Sequence, residues 1–424
     1  MFYAAFIFTK KTHLMRPFLP LILFITGVVA ILAEIYTFQA VRAATKSRWA
    51  PWVYLVISLL IIAYIVYSFM HFDRKEGQNK QSLLAMGLLL ITFLPKIIIT
   101  IVMLGEDIIR FFGGLIRMFL GDNKQPFLQD RRRFVSLTAL ALAAIPFFSL
   151  LYGMTIGKYN FKVRKQTIIY PDLPDNFDGM TITQISDVHS GSLDNVEKIE
   201  YAIDLINEQK SDIILFTGDI VNTHATELHP WIETFKRIET PPMGKYSVLG
   251  NHDYGEYVEW PSAKAKDDNF AAIKDLHRQI NFKLMLNENI KLTKGDQHIA
   301  LIGVENWGHN FKKAGDLIKA SVGVDKDDFK ILMSHDPSHW EYEVQHHPNN
   351  YHLTLSGHTH GMQFGIEIPG FLKWSPVQYV YKQWAGLYNN AKRYVYVNRG
   401  FGFHGYAGRT GIWPEITVIT LKKG

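Results

Sequence analysis

The sequence predicts two unlike domains in tandem, an all-α bundle of four membrane spans over residues 1–155 and an α/β domain over residues 156–424. Three observations point there. Apolar stretches of spanning length fill the first part, while short strand-like runs alternate with amphipathic helices in the second. Charge divides at the same place, with 16 Lys/Arg against 7 Asp/Glu before residue 156 and 29 against 32 after it. Only His13 and His71 precede the boundary, and fifteen histidines follow it. The mean hydropathy of zero is therefore an average of two different materials.

The four apolar stretches are Phe18–Val41, Trp52–Met70, Leu83–Leu104 and Phe134–Tyr152. Each is close to the roughly 20 residues needed to cross a bilayer core of about 30 Å. A buried soluble helix would account for any one of them, but not for four joined by short basic loops. Arg42, Lys46, Arg48, Arg110, Arg117, Lys124, Arg131, Arg132 and Arg133 fall on one side of the bundle. Lys10, Lys11, Arg16, Arg74, Lys75 and Lys80 fall on the other. The richer side is expected in the cytoplasm of a bacterial inner membrane, which puts both termini and the α/β domain outside. Asp130-Arg131-Arg132-Arg133-Phe134-Val135-Ser136 and the mild apolar run after it resemble a twin-arginine export signal. A basic flank that stops translocation accounts for the same residues equally well.

Glu34 and Lys96 lie about two thirds of the way along the first and third spans, which run in the same direction. Charges inside a bilayer need partners, so an ion pair between them is expected, beside a kink at Pro95. Glu106–Leu120 alternates Arg110 and Arg117 with Ile, Leu and Phe and is expected to lie along the inner leaflet.

In the second domain, strand-like runs occur at Thr181–Ser186, Ile213–Thr217, Tyr246–Leu249, His298–Val304, Phe329–Met333, His352–Leu355, Arg393–Val397 and Ile416–Leu421. Helical patterns lie near 195–209, 227–238, 268–278, 312–320 and 338–345. Five of the strands run into Asp187-Val188-His189, Gly218-Asp219, Gly250-Asn251-His252-Asp253, Ser334-His335 and Gly357-His358-Thr359-His360-Gly361. Open α/β sheets bind ligands at the carboxyl ends of their strands, so these donors are expected on one rim. Imidazole, carboxylate and amide donors suit Mn, Zn or Fe better than Ca. There are enough of them for two divalent ions. The absence of cysteine excludes a disulfide scaffold, a thiolate zinc site and a cysteine nucleophile. The basic charge lies between apolar runs rather than on the histidine-rich domain, so nucleic acid is not an expected partner.

These five motifs in this order resemble the calcineurin-like metallophosphoesterases over roughly residues 160–424. Tyr396–Gly402 and Trp413–Leu421 also resemble the bacterial membrane-associated branch that includes twin-arginine-exported members. The resemblance implies a four-layer α/β/β/α sandwich. It further implies that Asp187, His189 and His360 bind one metal, that Asn251, His335 and His358 bind a second, and that Asp219 bridges them. His252 would be the leaving-group acid, and Asp253 would orient an imidazole. Close relatives usually carry Asp at the position of Asn222 and Gly at that of Met362. Neither is an expected ligand, so these departures concern the substrate pocket.

His404 and Arg409 are candidate phosphate contacts, whereas His224, His309, His339, His346 and His347 read as surface or loop residues. Trp374, Tyr379, Tyr381 and Trp384 follow the last metal motif and suit a lipid interface. The expected activity is hydrolysis of phosphate esters or pyrophosphates by a dimetal-bound hydroxide, on a substrate that is lipid-linked or close to the bilayer. One alternative is a lipid A pathway pyrophosphatase of the UDP-diacylglucosamine type, which needs a cytoplasmic active site. Another is a receptor or transporter-like protein whose phosphoesterase domain only binds, which predicts eroded ligands.

Overall fold

The computed structural model describes residues 19–120, 129–368 and 370–424. Lys10, Lys11, Arg16, Phe18 and Lys124, used above for the spans and their orientation, lie outside the described residues. The chain forms two compact units. One takes in the described residues up to Phe72 together with Leu84–Tyr152, and the other takes in Asp73–Leu83 and Gly153–Gly424.

Four long apolar helices run through the first part of the chain: α1 Leu19–Ala44, α2 Ala50–Met70, α3 Lys80–Leu120 and α4 Gln129–Thr155. All are long and apolar enough to cross a membrane. The bundle buries small side chains, including Ala33, Ala40, Ala139 and Ala143, and exposes Ile31, Leu60, Ile101 and Phe148. This inside-out distribution suits lipid, where close backbone approach replaces the hydrophobic drive for helix association. The expected ion pair is present, with Lys96 Nζ 2.6 Å from Glu34 Oε2. Ser58 Oγ joins it, 2.5 Å from Lys96 Nζ and donating to Glu34 Oε2 at 2.9 Å.

One expectation changes here. Glu106–Leu120 is not a separate surface helix but the continuation of α3. Glu106 pairs with Arg131 and Arg132, and Asp107 with Arg132. These acids are neutralised by α4 within the unit, which removes the reason for the chain to turn aside.

The second unit contains two six-stranded sheets. The first has the order β1 Lys162–Tyr170, β14 Glu415–Lys423, β2 Thr181–Ile185, β3 Ile213–Phe216, β4 Lys245–Ser247 and β5 Lys283–Leu284. The second runs β12 Gly386–Asn390, β13 Arg393–Val397, β9 Leu353–Ser356, β8 Lys330–Met333, β7 Gln297–Gly303 and β6 Glu288–Lys294. A hairpin, β10 Ile366–Ile368 with β11 Leu372–Trp374, stands apart. Strands β2, β3 and β4 are mutually parallel, as are β7, β8, β9 and β13.

The expected four layers are present. Ile182, Ile213 and Leu215 of one sheet meet Leu301, Ile331 and Leu353 of the other in the central layer. Helices 196–207, 232–236 and 263–279 cover the outer face of the first sheet, and helices 317–320 and 338–342 that of the second. Ile199, Ala202, Ile203 and Ile206 are the buried stripe of helix 196–207, whose first turn is capped by Asn195 accepting from the Lys198 amide.

The edge strands β1, β6 and β12 carry many polar residues and were not marked by apolar runs. The helix expected over 312–320 reduces to Leu317–Ala320. The amides of Ala314 and Gly315 are bonded to Asn306 O, and Asp316 caps the helix only afterwards.

Candidate metal centre

Each expected ligand sits just beyond a strand end: Asp187 and His189 after β2, Asp219 after β3, Asn251 after β4, His335 after β8, and His358 and His360 after β9. The turns that carry them are unusual. Asp187, His189, Asp219, His358 and His360 all take positive φ, at 54°, 47°, 59°, 71° and 50°. Left-handed backbone at non-glycine residues costs about 1 kcal/mol or more each and persists where the surroundings over-determine it. Glycine makes room beside them. A Cβ on Gly250 would lie 2.1 Å from Asp219 Oδ1, and one on Gly357 would lie 2.2 Å from Asp187 Oδ2.

Two groups of donors result. Asp187, His189 and His360 bring ligand atoms within 4.8 Å of one another, and so do Asp219, His335 and His358. His189 Nε2 faces His360 Nε2 at 3.0 Å, and His360 Nε2 lies 3.1 Å from Asp187 Oδ1. In the other group His335 Nε2 lies 3.1 Å from Asp219 Oδ2. The same Asp219 oxygen is 3.6 Å from His189 Nε2, so it stands between the groups. Asn251 Oδ1 lies 2.7 Å from His358 Nδ1.

The hydrogen bonds behind two of these imidazoles suit divalent cations. His335 Nδ1 donates to the Thr217 carbonyl at 2.7 Å, which leaves Nε2 facing the carboxylates. That Nε2 is buried, with Asp219 Oδ2 at 3.1 Å and Asp187 Oδ1 at 4.0 Å facing it. His189 Nδ1 donates in the same way to Asn222 Oδ1 at 3.1 Å. Backbone or amide acceptors behind an imidazole fix the tautomer that ligation requires. The electrostatics set the two rings apart. Burial and the neighbouring His404, His360 and His252 hold His189 well below the usual imidazole range. Burial also opposes charge on His335, but Asp219 and Asp187 outweigh it and hold that ring up to about 10. Nitrogen and oxygen donors crowded this closely suit two borderline metal ions.

His252 lies beside this centre. Its Nδ1 donates to the Asn222 carbonyl at 2.8 Å, and its ring meets that of His189 edge-on at 4.9 Å. His404 joins His189 and His252 in a third histidine group. It stacks on His189 with centroids 4.7 Å apart and rings inclined by 22°.

Arg409 does not fit the role expected of it. The side chain is fully buried. It donates to the carbonyls of Gly402 and Arg399 at 2.7 Å, and Nη2 rests 3.1 Å from His360 Nδ1. It thus packs behind His360 and has no guanidinium edge turned to solvent. Asp253 also differs from expectation. Its carboxylate accepts from the amides of Gly250, Asp219 and Ile220 at 2.8, 3.0 and 2.9 Å, tying together two ligand turns instead of orienting an imidazole. His339, expected at the surface, is buried, bonded to Ser334 Oγ at 2.8 Å and stacked on Trp307.

Two tyrosines near the second group escaped the sequence reading. Tyr257 OH accepts from Asn251 Nδ2 at 2.6 Å, turning the amide oxygen toward His358. Tyr381 OH lies 2.8 Å from His358 Nε2. Tyr257 was legible only as an aromatic six residues beyond Asn251, and Tyr381 was grouped with the lipid-interface aromatics. Of that group Trp384 is buried, whereas Tyr379 is 78% exposed.

A family model for calcineurin-like phosphoesterases matches residues 180–362. A second, for a probable calcineurin-like phosphoesterase transmembrane domain, matches residues 15–158. The uncharacterized metallophosphoesterase YkuE of Bacillus subtilis is 31% identical over 272 residues, covering 64% of this chain and 89% of that protein. A Danio rerio transmembrane protein with metallophosphoesterase domain is 27% identical over 301 residues, 68% of this chain and 63% of the relative. The chain thus spans just under two thirds of that fish protein. The UDP-2,3-diacylglucosamine pyrophosphatase LpxG of Chlamydia muridarum is 23% identical over 316 residues, 63% of this chain and 91% of that protein.

Proposed function

This chain belongs to the calcineurin-like metallophosphoesterases, a family of phosphoric ester hydrolases, with a transmembrane domain ahead of the catalytic one; from that premise we propose that it cleaves phosphate esters or pyrophosphates of lipid-linked substrates at a bacterial cytoplasmic membrane. The observation that carries the reading is Asp219 Oδ2 standing between two histidine-carboxylate groups.

Asp187, His189 and His360 would hold one divalent ion, Asn251, His335 and His358 the other, with Asp219 common to both. Such ions supply Lewis-acid polarisation of phosphoryl oxygens and an acidified water nucleophile. The chain's own groups do the rest. Thr217 and Asn222 fix the ligand imidazoles, and Tyr257 fixes the Asn251 amide. His252, with Nδ1 committed to the Asn222 carbonyl, delivers its proton from Nε2 to the departing oxygen. His404 contacts a phosphate oxygen.

Support for a lipid-linked substrate comes from the segment after the last ligands. Ile366, Ile368, Phe371 and Leu372 of the β10–β11 hairpin are exposed, Phe371 by 83%, as are Tyr379, Val380 and Met362. Exposed apolar side chains in the segment that follows His360 suit acyl chains. The basic residues of the loops favour an extracytoplasmic catalytic domain. Arg131 and Arg132 are engaged with Glu106 and Asp107, which favours the flank reading of that segment over an export signal. The chlamydial relative's name supports the pyrophosphatase alternative, which needs a cytoplasmic active site, and accessibility of the β10–β11 hairpin to protease in sealed spheroplasts decides between the two sides. A domain that only binds would not need an intact ligand set.

The test is turnover of bis-p-nitrophenyl phosphate by the full chain. Asp219→Ala should be inactive yet membrane-inserted, and full activity would refute the site. His252→Ala should lose more activity on alkyl esters, whose leaving groups need the proton, than on nitrophenyl esters.

A further inference from the structure

Asp73–Leu83 joins the second and third spans in sequence yet belongs to the same compact unit as the catalytic domain. Leu83 is 2% exposed within the catalytic core cluster that includes Phe401 and Phe403. Arg74 O accepts from the Glu259 amide at 2.9 Å, and Lys75 O lies 3.2 Å from His224 Nε2. The loop is thereby fastened on both sides of Gln78.

Gln78 reaches the third histidine group. The Gly405 amide can only donate, so Gln78 Oε1 must be the atom facing it at 2.8 Å. That fixes the amide. Its nitrogen then lies 3.1 Å from His404 Nδ1 and donates to Ser192 Oγ at 3.3 Å. A donor aimed at Nδ1 makes that atom an acceptor, so the neutral ring carries its proton on Nε2. Asn222 Oδ1 lies farther from the same Nδ1, at 3.3 Å, and accepts from His189 Nδ1 at 3.1 Å. Ser192 lies three residues beyond the ligand His189, so one amide spans a ligand turn and the His404 turn.

We infer that this interspan loop is a wall of the catalytic site, and that Gln78 is a positioning residue that sets the tautomer and place of His404 so that its Nε2–H meets a phosphate oxygen of the substrate. The inference rests on the phosphoesterase reading above. It gives the membrane domain a second task, because a fragment beginning at residue 156 lacks both Leu83 and Gln78.

The experiment uses the full chain in detergent, bis-p-nitrophenyl phosphate as probe, and Gln78→Glu, Gln78→Met and Asp219→Ala side by side. Glutamate keeps an acceptor for the Gly405 amide but has no hydrogen to give Nδ1; methionine keeps the length and loses both bonds. Both should raise KM roughly tenfold, the scale of one hydrogen bond to substrate, with kcat changed less than about threefold and bound metal and Tm held. KM unaltered in both variants overturns the inference. So does a loss of activity that merely follows loss of metal or of Tm. An active Asp219→Ala would instead sink the phosphoesterase reading itself, whereas an inactive one beside unaltered Gln78 variants removes only the role given to Gln78.

Discussion

Gly357→Ala tests whether the first donor group is as tightly built as its turns imply. The new Cβ would lie 1.9 Å from Ser186 Oγ and 2.2 Å from Asp187 Oδ2. Ser186 can rotate aside. Asp187 cannot do so freely, because both its carboxylate oxygens accept from the His358 amide at 3.0 Å and its own backbone is held at φ 54°. Relieving the overlap moves the carboxylate by roughly 1 Å, several times the ±0.2 Å within which ligand distances are held. A displacement of that size in catalytic geometry costs on the order of 100-fold. Bound metal per chain, measured by plasma mass spectrometry, should fall from two toward one, and phosphodiester turnover should fall about 100-fold while the far-ultraviolet circular dichroism stays unchanged. Gly113→Ala, whose Cβ meets nothing within 4 Å, is the control. A Gly357→Ala enzyme with two metals and turnover within a few-fold of the parent would show that Asp187 is not held as argued.

Two further outcomes follow from buried charge. His277 is fully buried with neither ring nitrogen hydrogen-bonded, and burial lowers its pKa to about 3. Its unfolded value is about 6.5, so the stability it allows is complete above that pH and is lost on acidification toward 3, at about 1.4 kcal/mol per pH unit. His277→Phe should flatten the acid side of a Tm-against-pH series by that slope, and parallel curves for parent and variant would refute the assignment. In the bundle, Glu34→Lys or Lys96→Glu alone should cost about 3–5 kcal/mol by stranding a buried charge. The double exchange should recover most of it in detergent unfolding, whereas additive losses would mean the two residues act independently.

The clustered donors were legible because metal chemistry demands particular side chains at particular places, and strand ends put both on view in a linear sequence. The residues that act on those donors were not legible, for a physical reason that differs from case to case. Arg409 looked like an anion contact because a charge is assumed to face solvent, and only three-dimensional packing reveals the carbonyls of Gly402 and Arg399 around it. Asp253 sits in a ligand motif, yet its partners are amides of two turns. Strands β1 and β6 lie at sheet edges, where one unburied face erases the apolar run that marks a strand.

Gln78 is the extreme case, because the histidine it meets is 326 residues away and its own surroundings read only as a polar loop between spans. Composition divided this chain at residue 156 and assigned everything earlier to the membrane. Packing divides it differently, for Asp73–Leu83 lies with the catalytic unit. A segment can therefore be membrane-domain by sequence order and active-site by contact. If Gln78 sets His404 as argued, an eleven-residue segment that sequence order assigns to the membrane spans, Asp73–Leu83, supplies part of the catalytic unit.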